Sequence, residues 1–157
     1  MNLNGTKWLF LDVDGVMTDG RLYYDASGEQ IKVFNVKDGL GIKNVRDAGV
    51  KVGIISGRGC DALLRRLEEL ECDEIYINRP DKGNVFQELK DKYGDEVLDS
   101  VCLGDDLPDL ELYDACRYGI AVNDAVDELI DCADLVLKRK GGEGAVRELC
   151  DLLVKRN

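Results

Sequence analysis

Two carboxylates two positions apart, Asp12 and Asp14, close an apolar run in FLDVDGVMTDG. On an ideal strand they leave the same face, and Gly15 directly after them permits a sharp turn. Bare carboxylates this close repel each other, so the pattern asks for a cation between them or a proton on one of them. A second acidic group, GDDLPDL at 104–110, again follows an apolar run and a glycine; it supplies Asp105, Asp106 and Asp109. Asp109 lies one helical turn beyond Asp105, so both can face the strand ends. Oxygen donors with no sulfur or imidazole nearby suit Mg²⁺, which takes one or two carboxylates and keeps waters and a phosphate oxygen. Taken alone, each group has a plainer reading: a solvated acidic loop for Asp-x-Asp, and acids favoured at a helix start for Asp106 and Asp109. Asp105 is the stronger ligand of the second group.

Two further pieces complete the set. IISGR at 54–58 ends an apolar run in Ser56-Gly57 and leads into a helix, so a hydroxyl and free N–H groups converge at a helix N-terminus, an anion site. Lys82, in RPDKG, opens another helix, where the dipole disfavours a cation, so some other group should want its charge. By themselves, Ser-Gly is a common loop and Lys82 a common surface residue.

Composition narrows the chemistry. The 157 residues contain no histidine, which excludes Ser-His-Asp triads, Cys-His pairs and His-ligated zinc. Acid–base work falls to Asp, Glu, Lys, Tyr or Cys. A net charge of −11 argues against nucleic acid and against an anionic membrane as partners. An anionic substrate would therefore need local cations. No apolar stretch approaches the ~20 residues of a membrane span. The opening MNLNGTKW lacks the layout of a signal peptide. The six cysteines, without a C-x-x-C pair, read as reduced thiols used as small core residues, and the chain as cytoplasmic.

The elements that must hold these residues alternate between strand and helix. WLFLDV (8–13), VKVGIIS (50–56), EIYI (74–77), LDSVCLG (98–104) and YGIAV (118–122) read as strands, with a short edge strand at 133–137. Helices are expected from Asp38, as cap, to about Ala48, through Leu63, Leu64, Leu67 and Leu70, from Asp81 to about Tyr93, after Pro108, and near 124–132. A last helix carries Val146, Leu149, Cys150, Leu153 and Val154 on one face. Residues 21–24 and 31–36 read as a hairpin about the turn Asp25-Ala26-Ser27-Gly28. The whole is expected to be one domain, 1–157, an α/β three-layer sandwich on a parallel Rossmann-like sheet with the hairpin inserted after the first strand. In such sheets ligands lie beyond the carboxyl ends of the strands, where every chemically suggestive residue named above falls.

Four consecutive strand ends thus carry Asp-x-Asp, Ser, Lys and Gly-Asp-Asp-x-x-Asp in that order. This combination resembles the haloacid dehalogenase-like phosphatases. FLDVDGVMTDGRLYY, FNVKDGLGIK, IISGR, GDDLPDL and KGGEGAVRELCDLL extend the resemblance to the small branch without a cap domain that acts on 3-deoxy-D-manno-octulosonate 8-phosphate. The resemblance implies Asp12 as nucleophile and Asp14 as general acid and base. It implies Ser56 and Lys82 on the phosphoryl oxygens, Lys82 also pairing with Asp12. Mg²⁺ would be held by Asp12, the carbonyl of Asp14 and Asp105, with Asp106 and Asp109 behind them. Thr18, Asp19, Lys37, Asp38 and Arg58 become candidates for binding the sugar. The resemblance further implies a homotetramer whose neighbouring subunits cover each active site through the hairpin; a hairpin folded onto its own domain is the alternative.

Two departures from the family pattern bear on the substrate. Glu143 stands where an arginine is expected in many relatives, and the sequence stops at Asn157, whereas some members carry a tail that reaches a neighbour's site. A phosphatase for a nine-carbon 2-keto-3-deoxy sugar acid phosphate, or a regulator without catalysis on the same fold, are the alternatives. A phosphoryl-receiving signalling module would need its acceptor Asp at the end of the third strand, which here reads IYINRP.

Overall fold

The computed structural model describes residues 1–154; the terminal Asn157 lies outside the described residues. The chain opens with β1 (Trp8–Leu11), continues through a hairpin of β2 (Tyr23–Tyr24) and β3 (Gln30–Ile31), and enters α1 (Val36–Asp47). Then follow β4 (Lys51–Ile55), α2 (Asp61–Glu69), β5 (Glu74–Tyr76) and α3 (Lys82–Tyr93). The rest comprises β6 (Ser100–Gly104), α4 (Leu110–Ala115), β7 (Tyr118–Ala121), α5 (Asp127–Cys132), β8 (Leu135–Val136) and α6 (Ala145–Val154).

All four residues of β1 are buried, as a strand covered on both faces must be. It lies between β4 and β6, both parallel to it, with Leu9 opposite Val52 and Val101. The six-stranded sheet has the order β5-β4-β1-β6-β7-β8 and is parallel throughout. Alternation along β1 divides the core. Leu9 and Leu11 pack with Ile42 of α1, Leu63 of α2, Leu129 of α5 and Leu149 of α6. Trp8 and Phe10 pack on the other face with Phe86 and Leu89 of α3 and Leu112 of α4. This is the expected three-layer α/β sandwich. The chain runs outward from β1 to β4 and β5, then crosses back to β6 on the other side of β1. That reversal is the switch point beyond which ligands bind in open sheets.

The strands stop short of their expected bounds where turns intervene. Asp12 still donates its N–H to Leu103 O (3.2 Å), but the carbonyl of Val13 accepts from the N–H groups of Val16, Met17 and Thr18, and this turn ends β1 at Leu11. The hairpin is shorter than expected, its turn tied by Asp25 Oδ1, which accepts from the N–H of Ser27 and of Glu29. Val154 is exposed rather than on the buried face of α6, and Cys132 is exposed rather than in the core. All six cysteines are free thiols.

The start of α1 corrects one expectation. Its cap is Asn35, whose side chain accepts from Lys37 N–H, not Asp38. Asp38 falls in the first turn and is buried against α6, where Oδ1 accepts from Arg147 N–H at 2.8 Å and Oδ2 has no partner. Burial pushes its carboxyl from 3.8 up to about 6, against the lowering effect of the Arg147 N–H and the nearby Arg147 and Arg66 cations. The folded chain therefore binds this proton more tightly than the unfolded chain, and ionisation costs stability as pH rises through that window. Asp38→Asn removes the cost. The stability advantage of the variant over wild type should grow by about 1–3 kcal/mol between pH 4 and pH 7, measured by denaturant titration. An advantage independent of pH would refute this account.

Candidate active site

The carboxyl ends of β1, β4 and β6 and the start of α3 enclose a cavity of about 310 Å³ lined by Asp12, Asp14, Ser56, Arg58, Lys82, Asp105, Asp106 and Asp109. Asp12 follows the central strand. Its Oδ1 receives the Lys82 ammonium at 2.9 Å, and the same ammonium donates to Asp109 Oδ1 at 2.5 Å. Asp109 then uses its other oxygen to accept from Asp105 N–H (2.9 Å) and, more loosely, Asp106 N–H (3.4 Å). One buried carboxylate thus fixes both the lysine and the loop that carries Asp105. Asp106 caps the short turn 107–109 through its side chain, with Asp109 completing a capping box.

Two glycines make the close approach possible. Gly15 has φ +87°, and a Cβ there would collide with the Asp105 carboxyl; a Cβ on Gly104 would collide with that of Asp109. Ser56, also buried, follows β4 and accepts from Arg58 N–H at 3.3 Å. The helix α2 does not begin at once after Ser56-Gly57, as expected, but at Asp61 beyond a short loop. Arg58 reaches the cavity rim and donates to Tyr24 Oη at 3.3 Å.

The other expected sugar contacts lie elsewhere. Thr18 is buried beneath the loop, where its hydroxyl accepts from the N–H groups of Gly15 and Gly20. Asp19 accepts from Tyr23 Oη at 2.7 Å and from Arg21 N–H. Asp38 lies between α1 and α6, and Lys37 borders a second cavity with Arg139, Glu143 and Arg147. Thr18, Asp19, Lys37 and Asp38 do not line the main cavity. One residue that sequence reasoning did not single out is Lys32, whose ammonium pairs with Asp14 Oδ1. In IKVF it reads as an ordinary polar strand position; only the folded hairpin brings it back to residue 14.

The electrostatics favour a cation. Asp12, Asp105 and Asp109 offer oxygens within 4.8 Å of one another. Against these three carboxylates stands the Lys82 ammonium, which leaves two negative charges uncompensated if all are ionised. Burial, opposed by Lys82, pushes Asp12 up to about 6. Burial first, and then Asp12, Asp109 and Asp106, push Asp105 up to about 8. For Lys82 burial alone would lower the pKa, yet Asp12 and Asp109 outweigh it and raise the value. An all-oxygen set with a surplus of about two charges fits Mg²⁺.

A family model for haloacid dehalogenase-like hydrolases matches residues 72–149. The chain belongs to this family of hydrolases. Among its relatives, the 3-deoxy-D-manno-octulosonate 8-phosphate phosphatase of Haemophilus influenzae is 39% identical over 98% of this chain and 85% of its own. The Escherichia coli phosphatase of the same name is also 39% identical, over 94% of this chain and 79% of its own. The crystal structure of the Moraxella catarrhalis phosphatase in complex with magnesium ion, phosphate ion and KDO matches with TM-score 0.94 at 34% identity, covering 99% of this chain and 89% of that one. A cobalt-bound form of the Haemophilus phosphatase matches with TM-score 0.93 at 39% identity, covering 99% and 91%.

Metal binding should be visible in stability. At a hundredfold excess over its Kd, Mg²⁺ should raise the thermal midpoint of the wild type by roughly 5–10 °C. Asp105→Asn should abolish that rise while folding normally without metal, since it removes a repelled carboxylate. An undiminished rise in the variant would place the ion elsewhere.

Proposed function

We propose that this chain is a Mg²⁺-dependent phosphomonoesterase that hydrolyses 3-deoxy-D-manno-octulosonate 8-phosphate to the sugar acid and inorganic phosphate. The observation that carries the reading is the buried Asp12 carboxylate, held by Lys82 at 2.9 Å beside Asp105 in an open cavity. The names of its relatives support the substrate.

Asp12 is the nucleophile. Lys82 engages its Oδ1, leaving the second oxygen to attack phosphorus. As the Asp12 O–P bond forms, the ester O–P bond breaks, and Asp14 gives its proton to the departing sugar oxygen. Asp14 then takes a proton from water, whose oxygen attacks phosphorus and releases phosphate from Asp12. Ser56 and Lys82 hold the transferring phosphoryl oxygens, so that the chain supplies position and countercharge. Asp12, the Asp14 carbonyl and Asp105 would hold Mg²⁺, with Asp106 and Asp109 bracing them. When bound, the ion neutralises charge between an anionic nucleophile and an anionic ester. Arg58 at the rim suits the sugar carboxylate, because its planar fork matches that group.

The reading extends to one cap-free domain assembled as a cytoplasmic homotetramer. Leu22, Tyr24, Ile31 and Val33 of the hairpin region and Val36 and Leu40 of α1 are large apolar residues left exposed. Such a patch marks an interaction surface. Sedimentation should return a mass near four times 17.4 kDa; a monomer at micromolar concentration would remove the shared cover.

Phosphate release with Mg²⁺ tests the chemistry. Asp12→Asn should lose at least about a thousandfold in kcat with the fold intact. Persistent turnover would strip Asp12 of its role. The eight-carbon ester should exceed both its nine-carbon relative and an aryl phosphate in kcat/KM. Parity with the aryl ester would end the substrate assignment, and preference for nine carbons would replace it.

A further inference from the structure

The hairpin reaches the loop that follows β1. Lys32, one residue past β3, has a side chain only 3% exposed, and its ammonium is ion-paired with Asp14 Oδ1. Nearby, Tyr24 Oη accepts from Arg58 and Tyr23 Oη donates to Asp19, so three hairpin side chains hold Arg58 and the loop that follows β1. A buried ammonium is costly unless paired. Among the described residues, Asp14 is the one carboxylate within ion-pair distance of Lys32. Asp14 in turn needs an anchor. It lies beyond the end of β1, and among the described residues no second group hydrogen-bonds to its side chain.

We propose that Lys32 is a positioning residue: it grips Asp14 by Oδ1 and so presents Oδ2 to the oxygen of the leaving group. This rests on the reading of Asp14 as the proton donor. In that step protonated Asp14 accepts the Lys32 N–H at Oδ1 and passes the proton on Oδ2 to the ester oxygen as the ester P–O bond breaks and the Asp12–P bond forms; the carboxylate left behind is the one ion-paired with Lys32, which keeps its own protons throughout. The hairpin thereby becomes part of the catalytic apparatus. Deprived of Lys32, the Asp14 side chain rotates freely about its Cα–Cβ bond and spends most of its time misaligned.

Leaving groups separate this role from simple support of the fold. A sugar alkoxide needs a proton to depart, whereas p-nitrophenolate leaves without one. The parameter kcat/KM reports only steps through that departure. The full chain with Mg²⁺ is assayed on 3-deoxy-D-manno-octulosonate 8-phosphate and on p-nitrophenyl phosphate. Lys32→Met should lower kcat/KM by about 10- to 100-fold on the sugar ester and by less than about threefold on the aryl ester. Lys32→Arg, which keeps the cation, should restore most of the loss. Asp14→Asn should show the same selectivity, and adding Lys32→Met to it should cost nothing further. Equal losses on both esters, no loss on either, or additive losses in the double variant would overturn the proposal. A wild-type chain inert on both esters would instead overturn the phosphatase reading, and this one with it.

Discussion

The ammonium of Lys82 lies between Asp12 and Asp109, and the arrangement of the site follows from that contact. Three carboxylates drawn together at the carboxyl ends of a buried sheet would drive one another apart or take up protons. Lys82 offsets one of the charges. Asp109, in accepting from it, is fixed so that its other oxygen tethers the backbone of Asp105. Removing one partner of so buried a pair typically costs about 3–5 kcal/mol, because a charge is left stranded. The remaining negative surplus makes the pocket receptive to a divalent cation. A divalent cation bound there, with Lys82 and Arg58, would supply the local positive charge that an anionic substrate needs in a chain of charge −11.

The sheet provides the geometry that this pair requires. Because β1 lies between β4 and β6, the residues following three adjacent strands meet over one edge. The tight Gly15 turn then allows the Asp105 carboxyl to lie against the backbone of the Asp12 loop. The hairpin, built of two-residue strands and marginal alone, is held to the domain by Lys32, Tyr23 and Tyr24.

The strand–helix alternation and the acids at the strand ends were readable from residue types, since burial on both faces of a parallel sheet leaves continuous apolar runs. Asp12, Asp105, Ser56 and Lys82, which line one cavity, could be expected to meet because each ends or begins such an element. Contacts between distant segments were not readable. Asp38 looked like a cap, since a short acid before an apolar helix usually is one; the docking of α6 buried it instead, while Asn35 was better placed for the first N–H groups. Thr18 looked like a ligand because it follows the Asp12 loop, but that loop folds around its hydroxyl. Lys32 escaped notice because nothing local distinguishes a lysine that will be buried from one that will not.

The strand order also governs when the site can come into being. β1 gains its second neighbour only at Ser100–Gly104, after the segments that form β4 and β5. During synthesis, Asp12 and Asp14 leave the ribosome well before Lys82, Asp105 and Asp109 exist. The N-terminal half must therefore wait with an open β1 edge and no metal site, a delay typical of sheets built from distant pairings. Catalytic competence is then acquired late and all at once, and a truncated nascent chain has no partial form of it.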